Sequence, residues 1–409
     1  MVRYFSKYLP DLSLYLTGDF FMTTSAMTDK MLKNTDSTIS IQTPTQIGSD
    51  TEAADERQQQ LLHWLQQVFA GQDFKLDSLP GDASSRQYHR LQWLNQSDSD
   101  EAEHYIVMDS ADEQQAMQQF INVTALMAPA INVPTLIAQD MEQGFLVLQD
   151  FGTVEFAHLL VGATPAQVDA YYQAAMQTLI ALQQVPVETA KDKHQLPDYN
   201  EELLNREMDL FSDWFIPHIE VSLDASLWQT VKTTLINEIL RQPQVVVHRD
   251  YHSRNLMQDQ ADHSRLGVID FQDAVIGAYS YDLVSLVRDA YVDWSEVQIS
   301  SWIKDFWQRQ KNAELTTTDS AEQLENDVNV MGVQRHLKVL GIFIRLFERD
   351  GKSRYLADIP KVMSDLLFEL DWLSKQGSEE VKQALIPFKQ WIEETVLPAY
   401  QAKFVQQYI

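Results

Sequence analysis

Apolar and polar positions fall into two regimes along this chain. In "RQQQLLHWLQQVFAG", residues 57–71, Leu61, Leu62, Leu65, Val68 and Phe69 recur at helical spacing, and Gly71 supplies a stop. Strand-length runs follow: "RQYHRLQW", "HYIVMD", "PTLIAQD" and "GFLVLQD". Between the second and third, Met117, Phe120, Ile121 and Leu126 share one side of a helix. This pattern predicts a small antiparallel sheet with one helix in it. After Gly152 the texture changes to long helical patterns at 164–184, 200–215 and 225–241. Two compact β segments, "QVVVHRD" and "LGVIDF", interrupt them, and helices then continue to the end. The expected organisation is α+β and bilobal: a β-rich lobe over 57–150 and a larger, mostly helical lobe over 151–409.

Residues 1–56 read as detachable. "MVRYFSKYLPDLSLYLTGDFF" opens like a signal peptide, but Pro10, Asp11 and Asp19 interrupt any apolar core. The stretch "NTDSTISIQTPTQIGSDTEAADE" is polar and without periodicity, so a largely disordered extension is expected, with Met22, Met27 and Met31 as alternative starts.

Composition narrows the classes. The 409 residues are 44% hydrophobic with no run of eighteen apolar residues, so no transmembrane helix is expected. Cysteine is absent, which removes disulfides, Cys-type zinc sites and thiol nucleophiles, and suits a reducing cytoplasm. Thirty-one Lys and Arg against 59 Asp and Glu give a net charge of −28. Such a surface repels nucleic acid and anionic membrane; it promotes solubility and leaves room for a cationic substrate.

Chemistry concentrates in "VVVHRDYHSRNLM" and "LGVIDFQDAVIGAYSYDLVSLVRD". A buried strand, Val245–Val247, delivers a polar loop holding Asp250 and Asn255. Asp270 stands fifteen residues further on, at the end of a second apolar strand. Phosphoryl transfer needs an acceptor for a hydroxyl proton, oxygen ligands for Mg²⁺ and a cradle for phosphates. Asp250 fits the base, and Asn255 and Asp270 fit an oxygen-only metal site. A second reading, a metallohydrolase on His248, Asp250 and His252, places three ligands on one side but leaves Asn255 without a task. Asp282 reads as a structural hydrogen-bonder of the catalytic loop, and Leu283, Leu286 and Val287 as core. Trp294, Trp302 and Trp307 read as helical burial rather than sugar platforms.

"HRDYHSRN" followed by "IDF" resembles the catalytic and metal-binding loops of the aminoglycoside phosphotransferase-like kinases, relatives of protein kinases. Longer stretches extend the likeness: "GDASSRQYHRL", "IVMDS", "VPTLIAQDMEQGFLVLQDFG", "VVHRDYHSRNLM", "GVIDFQDAVIGAYSYDLVSLVRDAY" and "MGVQRHLKVLGIFIRLFERDGKSRYLADIP". Together, over residues 57–400, they are similar to the anomeric N-acetylmuramate/N-acetylglucosamine kinases of bacterial cell-wall recycling. The resemblance implies transfer of a phosphoryl group from ATP, with Mg²⁺, to the anomeric hydroxyl of the sugar. A uridylyltransferase would consume the α-1-phosphate, with no physical complex implied. Within the fold, an aminoglycoside, choline or similar alcohol kinase stays open, as does a nucleotide-binding scaffold without activity.

The chain departs from the kinase pattern at two places. The strand that usually carries a phosphate-binding lysine ends in Met108 and Asp109. The role is expected to pass to Arg86 or, failing it, Arg90, with Ser84 and Ser85 in a glycine-poor cradle. A literal Asp-Phe-Gly stands at 150–152, a hundred residues before Asp250, so it cannot follow the catalytic loop as a metal-binding triplet does. It is expected to mark the hinge, where the backbone of Gln149, Asp150 and Phe151 faces the adenine edge. For the sugar, His252, Arg254 and Asp273 are expected, with Arg288, Arg335 and His336 further candidates. An arginine in this set would pair with the lactyl carboxylate.

Overall fold

The computed structural model describes residues 47–79, 86–94, 104–111 and 113–407. The chain divides after Gln72 into two units. The first contains helix α1 (Ile47–Val68), which begins ten residues before the periodic stretch at 57 and stops before Gly71 at φ +82°. Residues 47–56 are thus helical, against the expectation of a disordered segment to residue 56; residues 1–46 lie outside the described residues. The second unit, Asp73–Ile409, holds both the sheet and the helical bulk.

Five antiparallel strands form the sheet: β1 (Phe74–Ser78), β2 (Gln87–Trp93), β3 (Tyr105–Asp109), β4 (Leu136–Asp140) and β5 (Phe145–Gln149), in the order β1-β2-β3-β5-β4. Helix α2 (Gln114–Met127) lies between β3 and β4 in the chain. Strand β5 is buried from Phe145 to Leu148 because neighbours cover it on both edges, pairing Val147 with Val107 on β3. Four strands stand where the apolar runs predict them. Strand β1, "FKLDS", was not expected: with Lys and Asp alternating on a half-buried edge, it carries little apolar signal.

Below the sheet, caps fix where the helices begin. Helix α3 (Pro165–Gln183) starts with a capping box between Thr164 and Gln167 and with proline in its first turn. Helix α4 (Glu201–Leu210) starts where Asn200 Oδ1 accepts the Leu203 N–H at 3.0 Å, and a π-helical turn, Phe211–Phe215, extends it. Helix α5 (Ala225–Arg241) precedes strand β6 (Gln244–Val247). Two further hairpin-like pairs carry the chemistry: β6 with β9 (Val275–Ala278), and β7 (Leu256–Gln258) with β8 (Leu266–Val268). A thirty-residue helix, α6 (Ala321–Asp350), crosses the lobe, capped by Ser320 and stopped by Gly351 at φ +68°. It packs on α7 (Ile359–Gln376) and on α4. Of the three tryptophans, Trp302 is buried in its helix as expected and stacks on Tyr172 at 3.7 Å between centroids. Trp307 is half-buried on the same helix with Nε1 donating to the Thr318 carbonyl, and Trp294 is half-buried before that helix begins, its Nε1 donating to Tyr172. Leu283, Leu286 and Val287 are core.

Candidate active site

Strand β6 ends at Val247, and the chain turns at once into a loop whose backbone is held from several sides. His248 N–H and Arg249 N–H donate to the two oxygens of Asp282, at 2.7 and 3.0 Å. Burial pushes the Asp282 carboxyl up to about 7, against the pull of those two donors. Ser253 N–H and Tyr291 N–H donate to Asp289, and Tyr251 Oη donates to the Ala175 carbonyl of α3. Arg249 takes φ +77° and Asp270 φ +64°, a backbone region costly for residues with a side chain. One strained position immediately precedes Asp250 and the other is Asp270 itself.

Both ring nitrogens of His248 are spent: Nδ1 accepts the Asp250 N–H at 3.2 Å, and Nε2 donates to the Ile269 carbonyl at 3.0 Å. Burial holds its pKa down to about 4, so the ring is neutral. It ties the catalytic loop to the second loop and has no nitrogen left for zinc. Among the described residues no group of three or more His, Cys, Asp or Glu could hold a metal. The metallohydrolase reading ends there.

Asn255 draws the other parts together. Its Nδ2 donates to the Asp250 carbonyl at 2.9 Å and lies 3.4 Å from Asp270 Oδ2. Gln272 Nε2 donates to the other Asp270 oxygen at 2.7 Å, and Gln119 on α2 holds the Gln272 carbonyl at 3.0 Å. With Nδ2 committed, the Asn255 amide oxygen and the Asp270 carboxylate are the donors that Mg²⁺, completed by water and phosphate, would use. Surrounding protein pushes the Asp270 pKa up, and nearby Asp250 adds to the push, so a cation here relieves a carboxylate the protein itself does not neutralise.

Asp250 is treated differently. Burial alone would raise its pKa, but the Lys338 ammonium, His252 and the Arg335 guanidinium together outweigh it, and the carboxyl sits below its ordinary value. Lys338 is itself fixed by Glu207 at 3.0 Å and the Tyr281 hydroxyl at 3.0 Å. Glu207 also takes Arg249 Nη2 and the Tyr199 hydroxyl. Burial pushes Glu207 up, yet Lys338 and Arg249 hold it down at about 2. A buried cluster from α4, α6 and the loop thus favours the ionised form of Asp250 and keeps the Arg249 turn in place. Sequence reasoning missed Glu207, Lys338, Tyr281 and Asp289. Asp289 ends a quoted motif, whereas Glu207 and Lys338 lie 43 and 88 residues from Asp250 with no local signature.

The sequence candidates separate clearly. Ser84 and Ser85 lie outside the described residues. Arg86 stands at the start of β2, with Nε 3.8 Å from Glu113 at the head of α2. Tyr88, on the same face, is pushed up by burial, hydrogen-bonds Arg86 and feels the Asp270 charge, so Arg86 stands on the metal side of the sheet. Arg90 is a correction: its guanidinium grips both Asp150 oxygens, at 2.5 and 3.2 Å, and the Gly152 carbonyl at 3.1 Å. It braces the hinge and is not available to a phosphate.

The hinge needs correcting in detail. The Asp150 carboxylate is consumed by Arg90 and by the Gly152 N–H. The Phe151 ring is buried, filling the space where a Cβ on Gly267 would come within 2.3 Å, and its carbonyl accepts the Gln260 N–H. Gln149 N–H donates to the Thr135 carbonyl at 2.9 Å. Of the backbone offered to the adenine edge, the Gln149 N–H and the Phe151 carbonyl are therefore bonded within the protein, while at Asp150 it is the side chain that is committed.

On the acceptor side, the His252 ring reaches within 3.5 Å of Asn255 Nδ2 and meets Tyr291 edge-on. Its Nδ1 is buried with no partner. Arg254 is exposed and lies flat over Tyr291, 3.5 Å from the ring centre. Asp273 is exposed, while its carbonyl accepts Arg249 Nη1 at 3.2 Å. Arg288 is a correction: its side chain is 1% exposed, doubly bonded to Glu296 and close to Asp365 and Glu369. Arg335 is another: buried, it donates to the Arg249 carbonyl at 3.3 Å and holds the loop from behind. His336 pairs with Glu369 at 2.8 Å. None of the three can reach a sugar.

A five-stranded sheet with one inserted helix, above a helical lobe that presents a base loop and an oxygen-ligand loop, defines an enzyme of phosphoryl transfer built on the kinase plan. The chain belongs to the phosphotransferase enzyme family, whose pattern matches residues 75–321. It is 37% identical over 326 residues to an N-acetylmuramate/N-acetylglucosamine kinase of Pseudomonas putida, covering 75% of this chain and 90% of that one. A kinase of the same name from Neisseria meningitidis serogroup B is 35% identical over 316 residues, covering 76% and 90%. Among solved structures, the gentamicin complex of aminoglycoside phosphotransferase APH(2")-IIa superposes with a TM-score of 0.52 at 12% identity, covering 75% of this chain and 97% of that one. That likeness is one of fold.

Proposed function

We propose that this phosphotransferase moves the γ-phosphoryl group of ATP to the anomeric hydroxyl of N-acetylmuramate or N-acetylglucosamine, in the cytoplasm, as part of the recycling of cell-wall sugars. The observation that carries the chemistry is the convergence of Asp250, Asn255 and Asp270, with the ionised form of Asp250 favoured by a buried lysine. The kinases named for these two sugars, similar over three quarters of the chain, support the choice of acceptor.

Asp250 takes the proton of the anomeric hydroxyl as that oxygen bonds to the γ-phosphorus and the bond to the β–γ bridging oxygen breaks, releasing ADP. A hemiacetal hydroxyl is more acidic than an ordinary alcohol, so a carboxylate suffices as base; such assistance is worth about 10²–10⁴-fold. Asn255 and Asp270 would hold Mg²⁺, which when bound neutralises charge on the phosphate oxygens. Arg86, braced by Glu113, meets the phosphates in place of the usual lysine, beside the cradle of Ser84 and Ser85. At the hinge, the backbone of Asp150 borders the adenine. His252, Arg254 and Asp273 border the sugar. The α-1-phosphate product is the substrate type of a uridylyltransferase.

An assay of ADP release with N-acetylmuramate, N-acetylglucosamine, kanamycin and choline tests the reading. Turnover of the two sugars is expected; turnover of the cationic compounds alone would overturn it.

A further inference from the structure

The two proposed sugars differ in one respect: N-acetylmuramate carries a lactyl carboxylate and N-acetylglucosamine does not. A site that serves both gains from a cation that meets the acid yet is not stranded by the neutral sugar. A buried guanidinium fails this condition, because leaving it unpaired is costly. A solvated one meets it, because water takes over when the carboxylate is missing.

Around the Asp250 loop the solvated arginines are Arg254, stacked over Tyr291, and Arg206, and the others are committed. Arg249 is held by Glu207 and the Asp273 carbonyl, Arg288 by Glu296 and two further acids, and Arg335 is buried against the Arg249 carbonyl. Arg206, on helix α4, is exposed, and among the described residues its side chain has no hydrogen bond or ion pair. It stands where two hollows meet. One, of about 320 Å³, is lined also by Arg249, Asp273 and Ala274, so it borders both the catalytic and the metal loop. The other, of about 670 Å³, runs along the outer face of α4 past Asp209 and Asp213. Asp198, Glu202 and Asp273 line the smaller hollow as well, with Asp198 paired to Lys191 at 2.6 Å. An entering carboxylate is repelled by those acids and can settle beside Arg206.

We propose that Arg206 is the specificity-determining residue that pairs with the lactyl carboxylate of the acidic sugar, in the hollow between α4 and the catalytic loop. The inference rests on the sugar-kinase reading above. The test measures kcat/KM for both sugars with the full chain and follows their ratio, acidic over neutral. Arg206→Gln should lower that ratio about tenfold, the scale of a charge-assisted hydrogen bond. The loss should shrink in high salt, since the group is solvated, and Arg206→Lys should retain most of the ratio at low salt. A ratio within twofold of the native one in Arg206→Gln overturns the proposal. So does a larger drop in Arg254→Gln, which would move the role to the arginine over Tyr291. Native chain that phosphorylates only the neutral sugar also overturns it, whereas native chain that phosphorylates neither sugar refutes the functional reading itself.

Discussion

Helix α6 carries two buried ionic clusters on different sides, and their contrast separates charge that serves the reaction from charge that serves the fold. Toward the catalytic loop, Gln334, Arg335 and Lys338 meet Tyr199, Glu207, Arg249 and Tyr281. Toward α7, His336 meets Glu369, which with Asp365 and Glu296 surrounds Arg288. Both take several charges out of water, which is costly unless each is matched. Only the first touches the backbone just before Asp250 and lowers its pKa. The second joins helices: Glu369 Oε1 lies where a Cβ on Gly332 would be 1.9 Å away, so the two helices approach as only glycine permits. Burial and balance alone do not reveal a functional charge; contact with a strained, reactive loop does.

Four substitutions break or sharpen this contrast. Asp250→Asn should reduce sugar-dependent ADP release by about 10²–10⁴-fold while ATP–Mg²⁺ binding, read by calorimetry, persists; activity close to native would remove Asp250 from the base role. Lys338→Met should come next, with kcat lowered roughly 10–100-fold, since the base loses its nearest cation and Glu207 loses a partner. It should also move the acid limb of the pH–rate profile upward. Asp250 works when ionised and its native pKa is depressed, so native activity persists as pH falls until that lowered value is reached. Without Lys338 the value rises and activity is lost at higher pH. An unchanged acid limb would mean Lys338 only packs.

Arg86→Ala should act on the donor, raising KM for ATP about tenfold with a smaller change in kcat, as expected for a lost charged hydrogen bond. An unchanged KM would pass the phosphate role to another residue. The mildest kinetic effect belongs to Glu369→Gln in the second cluster: kcat and KM should stay within about twofold, while denaturant unfolding shows a loss on the order of 3 kcal/mol as the buried cluster around Arg288 and His336 loses one of its matching carboxylates. A large fall in kcat there, at full folding, would erase the distinction between the clusters.

The chemistry was legible where its signals were local. A buried strand, an Asp and an Asn five apart, and a second strand ending in Asp all lie within "VVVHRD" to "VIDF", and the structure brings Asp250, Asn255 and Asp270 together. Asp282 also holds the loop from a helix start, as its position implied. Partnerships across long separations were not legible. Arg90 alternates with Arg86 on β2 and invites the same reading, yet it finds Asp150 sixty residues away. Arg288 follows a helical run near the site and reads as a polar end to it, but its side chain turns inward to α7 acids about eighty residues on. The strands at 256–258 and 275–278 are too short to register as periodicity.

The Asp-Phe-Gly at 150–152 has a mechanical consequence. Phe151 sits at the junction of the two lobes with its ring lodged against the bare Cα of Gly267, on the strand that leads to Asp270. Arg90 and Asp150 clasp the same point from the sheet side. The sheet and the strand that leads to Asp270 are therefore joined at one packed, clasped point. That point stands three residues from Asp270, so a swing of the sheet about it would displace the Asp270 carboxylate little.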